Sequence, residues 1–153
     1  EEYVPFVCHL FNAFDKQITQ EDACAFYQML EGNTFCMQKL FHEAFINTPV
    51  GQVCDRELLN KTLSDILSEE GKAYSKMLSR VPERQKELLY AIVREGYAQR
   101  ILGGEFIRKH ALASASAVQA ASKKLLESGL ITLENNVYSV QDIFLRLYLK
   151  RFV

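Results

Sequence analysis

The residues whose types and spacing best suit chemistry lie in the last third of the chain, at the start of a predicted helix. Four polar side chains occur toward its N-terminal end: Ser114, Ser116, Gln119 and Lys123. Hydroxyl and amide groups can hydrogen-bond base edges, and glutamine can bind adenine in bidentate fashion. Because the second helix of a helix-turn-helix enters the major groove by its N-terminal residues, this pattern predicts a DNA-reading face.

A second set of side chains could hold the phosphate backbone of DNA: Arg108, Lys109 and Lys124. Such contacts contribute affinity that is independent of sequence and falls as salt rises. The proposed reading face has no arginine, however, and the segment Glu134-Asn-Asn136 places a negative charge where phosphate would favour a cation. Since a helix-turn-helix also serves as a protein-docking module, both DNA and a protein stay open as partners.

Enzyme chemistry is not indicated by the residues of this chain. His9, His42 and His110 have no neighbouring nucleophile or ligand set in the sequence, and no G-x-x-x-x-G-K-[ST] phosphate loop occurs. Glu69 and Glu70 are adjacent, so on a helix they diverge rather than converge on one substrate atom. The sequence therefore predicts no catalytic residue and no metal site in this chain.

The cysteines and the hydropathy indicate a cytoplasmic setting. Cys8, Cys24, Cys36 and Cys54 are widely spaced and form no C-x-x-C pair. They are predicted to be free thiols buried as small hydrophobic side chains, which favours a reducing compartment. No apolar run approaches the length of about 18 residues that a membrane span needs, so we expect no membrane contact.

The charge is distributed unevenly along the 153 residues, whose formal net charge is −1. Residues 1–81 carry 7 Lys and Arg against 12 Asp and Glu, a net of −5. Residues 82–153 carry 11 against 7, a net of +4. We therefore expect the two halves to face different partners, with the basic half nearer to nucleic acid.

The first half is predicted to be a bundle of helices. A stripe of apolar residues predicts a helix over residues 3–15, and Thr19 and Asn33 have the positions of N-caps for the next two. Asp55 is predicted to cap a long fourth helix that continues through Leu78, with Gly71 as a weak point.

A proline and a glycine delimit the next helix of the second half. Pro82 is placed to begin it and Gly96 to end it. Residues 97–102 form a connector that is predicted to be extended.

The pattern after this connector predicts a helix-turn-helix. A short helix covers residues 105–111, and a turn of small residues follows at 113–116. Either Ser114 or Ser116 could cap the second helix, which Gly129 closes.

A wing and a final helix are predicted after the helix-turn-helix. The β-prone triplets 131–133 and 137–139 are joined by Glu134-Asn-Asn136, a turn that tolerates left-handed backbone. Ser139 is predicted to cap a last helix over residues 140–152, which is apolar on more than one face. The predicted fold is thus mostly α, an N-terminal helical bundle (1–79) followed by a winged helix-turn-helix with a small β-hairpin wing (80–153).

The last third of the chain carries a family resemblance in four segments: Gly104-Glu-Phe-Ile, Ser114-Ala-Ser-Ala-Val-Gln119, Lys124-Leu-Leu-Glu-Ser-Gly-Leu-Ile131 and Val137-Tyr-Ser-Val-Gln-Asp-Ile-Phe-Leu-Arg-Leu-Tyr148. These segments resemble the C-terminal region of prokaryotic, archaeal-type AAA+/STAND P-loop ATPases. The resemblance implies that residues 1–79 correspond to the α-helical lid that follows the ATPase core in that family.

The same resemblance implies that this chain is non-catalytic. ATP and Mg²⁺ would bind to an N-terminal ATPase domain that is missing here, and that domain would be a partner of the chain. The chain begins at Glu1 rather than Met, so it is expected to be a piece of a longer protein. The alternative is a stand-alone winged-helix transcription regulator, whose N-terminal helices mediate dimerisation or sense a ligand.

Overall fold

The computed structural model describes residues 2–153, which form eight helices and four short strands. The helices are α1 (Tyr3–Ala13), α2 (Gln20–Met29), α3 (Thr34–Asn47), α4 (Arg56–Leu78), α5 (Glu83–Glu95), α6 (Gly104–Lys109), α7 (Ala115–Glu127) and α8 (Ile143–Leu149). The strands are β1 (Gln17–Ile18), β2 (Val53–Cys54), β3 (Ile131–Glu134) and β4 (Val137–Val140). The chain divides into two compact units, the first reaching Glu69 and the second covering Glu70–Val153.

The helices of the first unit begin at the predicted caps. Thr19 Oγ1 accepts a hydrogen bond from Asp22 N at 3.1 Å, and Asn33 Oδ1 accepts one from Cys36 N at 3.0 Å. Each cap satisfies one backbone N–H that has no partner within its helix. The caps that the sequence predicted for α2 and α3 are therefore confirmed.

The sequence did not predict the parallel pairing of β1 with β2, in which Gln17 lies beside Val53 and Ile18 beside Cys54. Each strand has two residues, too few for the alternation of polar and apolar side chains that identifies a strand. Ile18 and Cys54 are buried, so the pair joins the loop after α1 to the loop before α4 within the core of this unit.

In the second unit α5 packs against α7. The facing side chains are almost fully buried and include Leu88 and Ile92 from α5 and Val118 and Leu125 from α7. Helix α5 ends at Gly96, whose φ of 75° is in the left-handed region that glycine adopts without a Cβ penalty. The packing of α5 fixes the orientation of α7 and hence of its outward face.

The wing is an antiparallel hairpin of β3 and β4 with Glu134 opposite Val137. Its two-residue loop consists of Asn135 and Asn136, with φ of 51° and 63°. Both central residues are left-handed, as a tight hairpin turn requires, and asparagine tolerates this conformation better than most residues. The predicted wing is confirmed.

The connector between α5 and α6 joins this hairpin. Ala98 N donates to Tyr138 O at 2.9 Å, and Tyr138 N donates back to Ala98 O at 2.8 Å. The connector was predicted to be extended, and this antiparallel bridge is the part of it that pairs. Strand β4 therefore has partners on both sides, β3 and Ala98.

The final helix begins later than predicted. Asp142 Oδ1 accepts a hydrogen bond from Leu145 N at 3.1 Å, so Asp142 is the N-cap of α8. The prediction of Ser139 as the cap is wrong, because Ser139 belongs to β4 and its hydroxyl lies 3.1 Å from that of Thr132. Ser139 is held in β4 by its pairing with Thr132, so it is not available as a helix cap.

Helix α4 runs through Gly71 without a break. A Cβ at Gly71 would lie 2.9 Å from Cε2 of Tyr148, so the glycine allows α8 to approach this end of α4 closely. The hydroxyl of Tyr148 lies 3.1 Å from that of Ser75 on the same helix.

The mostly helical fold with a small wing agrees with the prediction. The predicted domain boundary at 79/80 stays a prediction, while the two compact units divide inside α4 rather than after it. Over the part of the chain that the structure describes, each helix is too short or too polar to cross a lipid bilayer.

Candidate nucleic-acid interface

The helix-turn-helix of α6 and α7 is anchored by apolar side chains beneath it. Phe106 of α6 and Leu112 of the turn are buried, and Val118 and Leu125 attach α7 to the same core. Ala111, with φ of 52°, reverses the chain after α6. Because these residues occupy the inner side, Gln119, Lys123 and Lys124 of α7 project outward, whereas Ser122 is buried with the core.

The N-terminus of α7 resolves the choice between the two serines. Ser114 Oγ accepts a hydrogen bond from Ala117 N at 3.2 Å and lies 3.1 Å from Ser116 Oγ. Ser114 is therefore the N-cap, which gives the longer of the two predicted helices. Both hydroxyls are exposed, but each already has a local partner.

Further along α7, Gln119 and Lys123 are exposed. Within residues 2–153 neither side chain has a hydrogen-bond or ion-pair partner. They are thus the members of the predicted reading face that are available to an incoming base or phosphate.

Lys124, by contrast, is paired on its own helix. Its Nζ donates to Glu127 Oε2 at 2.9 Å, and this hydrogen bond lowers the pKa of Glu127. Both side chains are exposed, so the pair contributes little to stability. Its effect on the surface is to cancel a positive charge beside Lys123.

Lys109 is part of a cluster that the sequence analysis missed. Its Nζ lies 2.7 Å from Glu95 Oε1, and Nε2 of His110 donates to the same oxygen at 2.7 Å. The hydrogen bonds from Lys109 and then His110 hold the pKa of Glu95 below its usual range. Since Glu95 lies on α5, well before α6 in sequence, no local spacing rule could have identified this carboxylate.

The side chain of His110 is only 3% exposed, and its ring centroid lies 4.6 Å from that of Phe106. The cluster therefore fastens the end of α6 to the end of α5. The cluster thus has a structural role. Because Lys109 is paired with Glu95 in it, the charge of this predicted phosphate ligand is already compensated.

Arg108 is exposed, and its guanidinium lies along the backbone at the start of α6. A Cβ at Gly104 would be 3.1 Å from Arg108 Nη1, so the glycine makes room for this side chain. In the described part of the chain Arg108 has no ion-pair partner, which leaves it free to meet an anion.

The wing offers no cation, since residues 131–140 contain no Lys or Arg. Glu134 next to its tip is exposed, and Leu133 is 43% exposed. The seven predicted contact residues are all exposed. Three of them, Arg108, Gln119 and Lys123, are unpaired within residues 2–153. Their role in binding DNA stays a prediction.

No group of three His, Cys, Asp or Glu side chains in residues 2–153 is arranged to hold a metal ion. All four cysteines are free thiols. Cys36 and Cys54 are buried as predicted, whereas Cys8 and Cys24 are only partly buried, so the prediction of burial is wrong for these two.

Comparison with known proteins matches the chain to one family model and to one solved structure. A family model described as a probable winged helix domain matches residues 72–151. The structure is similar to that of a Walker-type ATPase of Pyrococcus abyssi, with a TM-score of 0.70 and 16% sequence identity. The similarity covers 96% of this chain and 40% of that one, so the chain spans less than half of the length of the ATPase. No curated protein matches the chain significantly.

Proposed function

The chain belongs to the probable winged helix domain family, and on this premise we propose that it is the non-catalytic C-terminal part of a Walker-type ATPase. In this proposal the winged helix contacts DNA or a protein partner, and a nucleotide-binding domain outside this chain controls that contact. ATP and Mg²⁺ would bind to that domain, and the protein would work in the cytoplasm without membrane contact.

The observation that carries the proposal is the extent of the fold similarity. It runs over 96% of this chain, and therefore includes the helices before the winged helix as well as the winged helix itself. A winged helix alone occurs in proteins of many functions and would not favour an ATPase. The preceding helical unit makes the likeness more specific.

The native reading frame upstream of residue 1 tests this part of the proposal. We expect it to encode a G-x-x-x-x-G-K-[ST] loop after a predicted strand. An in-frame start codon within a few residues would contradict it. In the purified chain, isothermal titration with Mg-ATP should give no heat of binding, with the longer native protein as the positive control.

DNA contact is tested by fluorescence anisotropy with a labelled duplex at about 50 mM and about 200 mM salt. Lys123→Ala and Arg108→Ala should each weaken binding on all sequences and reduce the salt slope by about one. Lys124→Ala is the matched control, since the charge of Lys124 is already compensated by Glu127 at 2.9 Å. If the wild-type chain fails to bind at low salt, the partner of the winged helix is a protein rather than DNA.

The exposed amide of Gln119 favours a second candidate function, a stand-alone transcription regulator. Base reading needs an unpaired donor and acceptor at this place on the second helix, and Gln119 supplies both. A regulator that reads two half-sites would be a dimer, so light scattering of the free chain distinguishes the candidates. Gln119→Ala should then change the sequence preference rather than the overall affinity.

A further inference from the structure

The first turns of α7 expose a restricted set of side chains. Between the N-cap and Lys123 the exposed residues are Ala115, Ser116, Gln119 and Ala120. Residues 114–122 contain no Lys, Arg, Asp or Glu, so the first charged side chain of this helix is Lys123, in the third turn. The N-terminal part of α7 therefore offers only hydroxyl, amide and methyl groups to a partner.

Three of these residues share the outer side of the helix. At about 100° per residue, Ser116, Gln119 and Ala120 lie within an arc of about 100°. The buried Val118 lies on the opposite side. Ser116 Oγ is already 3.1 Å from Ser114 Oγ. Within residues 2–153 the amide of Gln119 has no partner, so it offers this arc both a donor and an acceptor.

Major-groove chemistry relates this set of side chains to one class of base pair. A glutamine amide binds N6 and N7 of adenine in bidentate fashion, and an alanine methyl group contacts the C5-methyl group of thymine. Direct reading of guanine relies on Arg or Lys, and reading of cytosine N4 relies on Glu or Asp. Residues 114–122 lack all four of these residue types. The exposed side chains therefore suit A·T pairs rather than G·C pairs.

We propose that α7 reads A·T base pairs in the major groove, with Gln119 bound to adenine and Ala120 against the methyl group of thymine. This reading rests on the proposed contact of the winged helix with DNA and adds the class of sequence that is recognised. Arg108 lies on α6, the helix that crosses the DNA backbone in a helix-turn-helix. Arg108 and Lys123 bind phosphates and so contribute affinity without sequence information.

The same face of α7 is poor in the features of a protein-binding surface. Interfaces between proteins depend on a few buried anchors, most often Trp, Tyr or Arg. Between Ser114 and Lys123 the exposed apolar side chains are alanines, each with a single methyl group. DNA is therefore the partner that this face favours.

The wing adds no reading of its own. A narrow minor groove of A·T pairs attracts Arg, Lys or His through its negative potential. Residues 131–140 contain none of these, and Glu134 beside the turn is exposed. A preference of this chain for A·T pairs would therefore come from α7 in the major groove.

Selection from duplexes with a randomised central segment tests the proposal without assuming a site. The whole chain is used at about 50 mM salt, and the bound duplexes are sequenced. We expect a short core of A·T pairs to be enriched. In an enriched duplex, 7-deazaadenine replaces the N7 acceptor of adenine by a C–H group and should weaken binding by about fivefold or more. The same replacement should have no effect on Gln119→Ala, which lacks the amide.

An arginine variant gives a second test with a gain of function. Gln119→Arg supplies a guanidinium that binds O6 and N7 of guanine, so one position of the selected core should change from A·T to G·C. Lys123→Ala is the matched control, because loss of a phosphate contact should weaken all duplexes alike and leave the selected core unchanged. Circular dichroism of each variant verifies that it is folded.

Three outcomes would overturn the proposal. Binding without enrichment, or with enrichment of G·C pairs, would leave the contact with DNA intact but remove the reading of A·T pairs. A preference for A·T pairs that persists in Gln119→Ala and ignores 7-deazaadenine would place the reading outside α7. Failure to bind any duplex at low salt would remove the proposed contact with DNA as well, since the partner of the winged helix would then be a protein.

Discussion

Two exposed surfaces of this molecule differ in what their side chains already contact. One is the apolar groove between α1 and α3, the aromatic groove, whose exposed side chains include Phe6, Phe14, Phe35 and Ile46. The other is the outer face of α7. On α7 and in its surroundings, most of the polar side chains already form hydrogen bonds or ion pairs within the protein. Ser114 caps a helix, and Lys109 and Lys124 form ion pairs with Glu95 and Glu127. In the groove, Phe6, Phe14, Phe35 and Ile46 are each more than half exposed. Exposure alone therefore does not make a residue available to a partner.

The two surfaces also differ in the free energy that a partner could gain. Fully burying one large apolar side chain is worth about 1.5–3 kcal/mol. An exposed ion pair contributes about 0–1 kcal/mol and weakens as salt rises. The groove is thus suited to affinity that is insensitive to salt, whereas the helix-turn-helix is suited to contact that salt weakens.

The largest expected effect is a difference in unfolding free energy between a substitution in the core under α7 and one in the wall of the groove. Leu125→Ala removes a side chain that is 0% exposed and should lower the free energy of unfolding by about 2–5 kcal/mol. Phe35→Ala removes a larger side chain that is 66% exposed and should change it by no more than about 0.5 kcal/mol. Urea denaturation of both variants measures the difference. If Phe35→Ala is equally costly, Phe35 belongs to the core and the comparison fails.

The next prediction tests whether the ion pairs of Glu95 with Lys109 and His110 stabilise the folded protein. Glu95→Ala leaves the buried His110 ring without its acceptor at 2.7 Å and should lower the free energy of unfolding by about 1–3 kcal/mol. Glu95→Gln retains an oxygen that can accept from His110 and should cost less. Equal stability of the wild type and Glu95→Ala would show that Lys109 is as free as Lys123.

The contribution of Glu95 depends on pH in a defined direction. Its pKa is lower in the folded protein than in the unfolded chain, mainly because Lys109 and then His110 donate to it. Its stabilising contribution is therefore complete above the ordinary glutamate pKa of about 4.3 and is lost as the pH falls through the lower, folded value. The stability difference between wild type and Glu95→Gln should be constant near neutral pH and shrink only in acid.

The smallest effect concerns the wing. Asn136→Ala places an alanine at a φ of 63°, a left-handed conformation that costs a residue with a Cβ about 1 kcal/mol or more relative to glycine. We expect a loss of up to about 1 kcal/mol in unfolding free energy, while Asn136→Gly should be neutral or slightly stabilising. A wing unaffected by either change would indicate that the bridge to Ala98, rather than the turn, determines its position.

The sequence was most informative where a local rule has a single physical cause. Helices α2 and α3 begin at their predicted caps, Thr19 and Asn33, and α5 ends at Gly96 as predicted. These positions are predictable because caps satisfy backbone groups that are unpaired at helix ends. Local rules failed where two of them competed. Ser139 is a good cap, but hairpin pairing holds it in β4, and Asp142 caps α8 instead.

The candidate sites were less predictable than the fold. The predicted contact residues are exposed as expected, yet their partners, such as Glu95 for Lys109, come from elements distant in sequence. The aromatic groove could not be predicted from the sequence for another reason. The apolar stripe over residues 3–15 was predicted only as one side of an amphipathic helix. In the structure the apolar residues form two adjacent stripes, with Val7 and Phe11 buried and Phe6 and Phe14 exposed. Periodicity identifies an apolar side of a helix but not what covers it.

The bridge between Ala98 and Tyr138 has a consequence for the order in which amide protons exchange with solvent. The amide of Tyr138 is protected by a residue that lies 40 positions earlier, so its release requires a connection distant in sequence to open. Strand β3 has β4 on one side and no strand paired on its other side among residues 2–153. The hairpin should therefore exchange asymmetrically, with the amides of β3 that point away from β4 exchanging first and Ala98 and Tyr138 exchanging together in a larger opening.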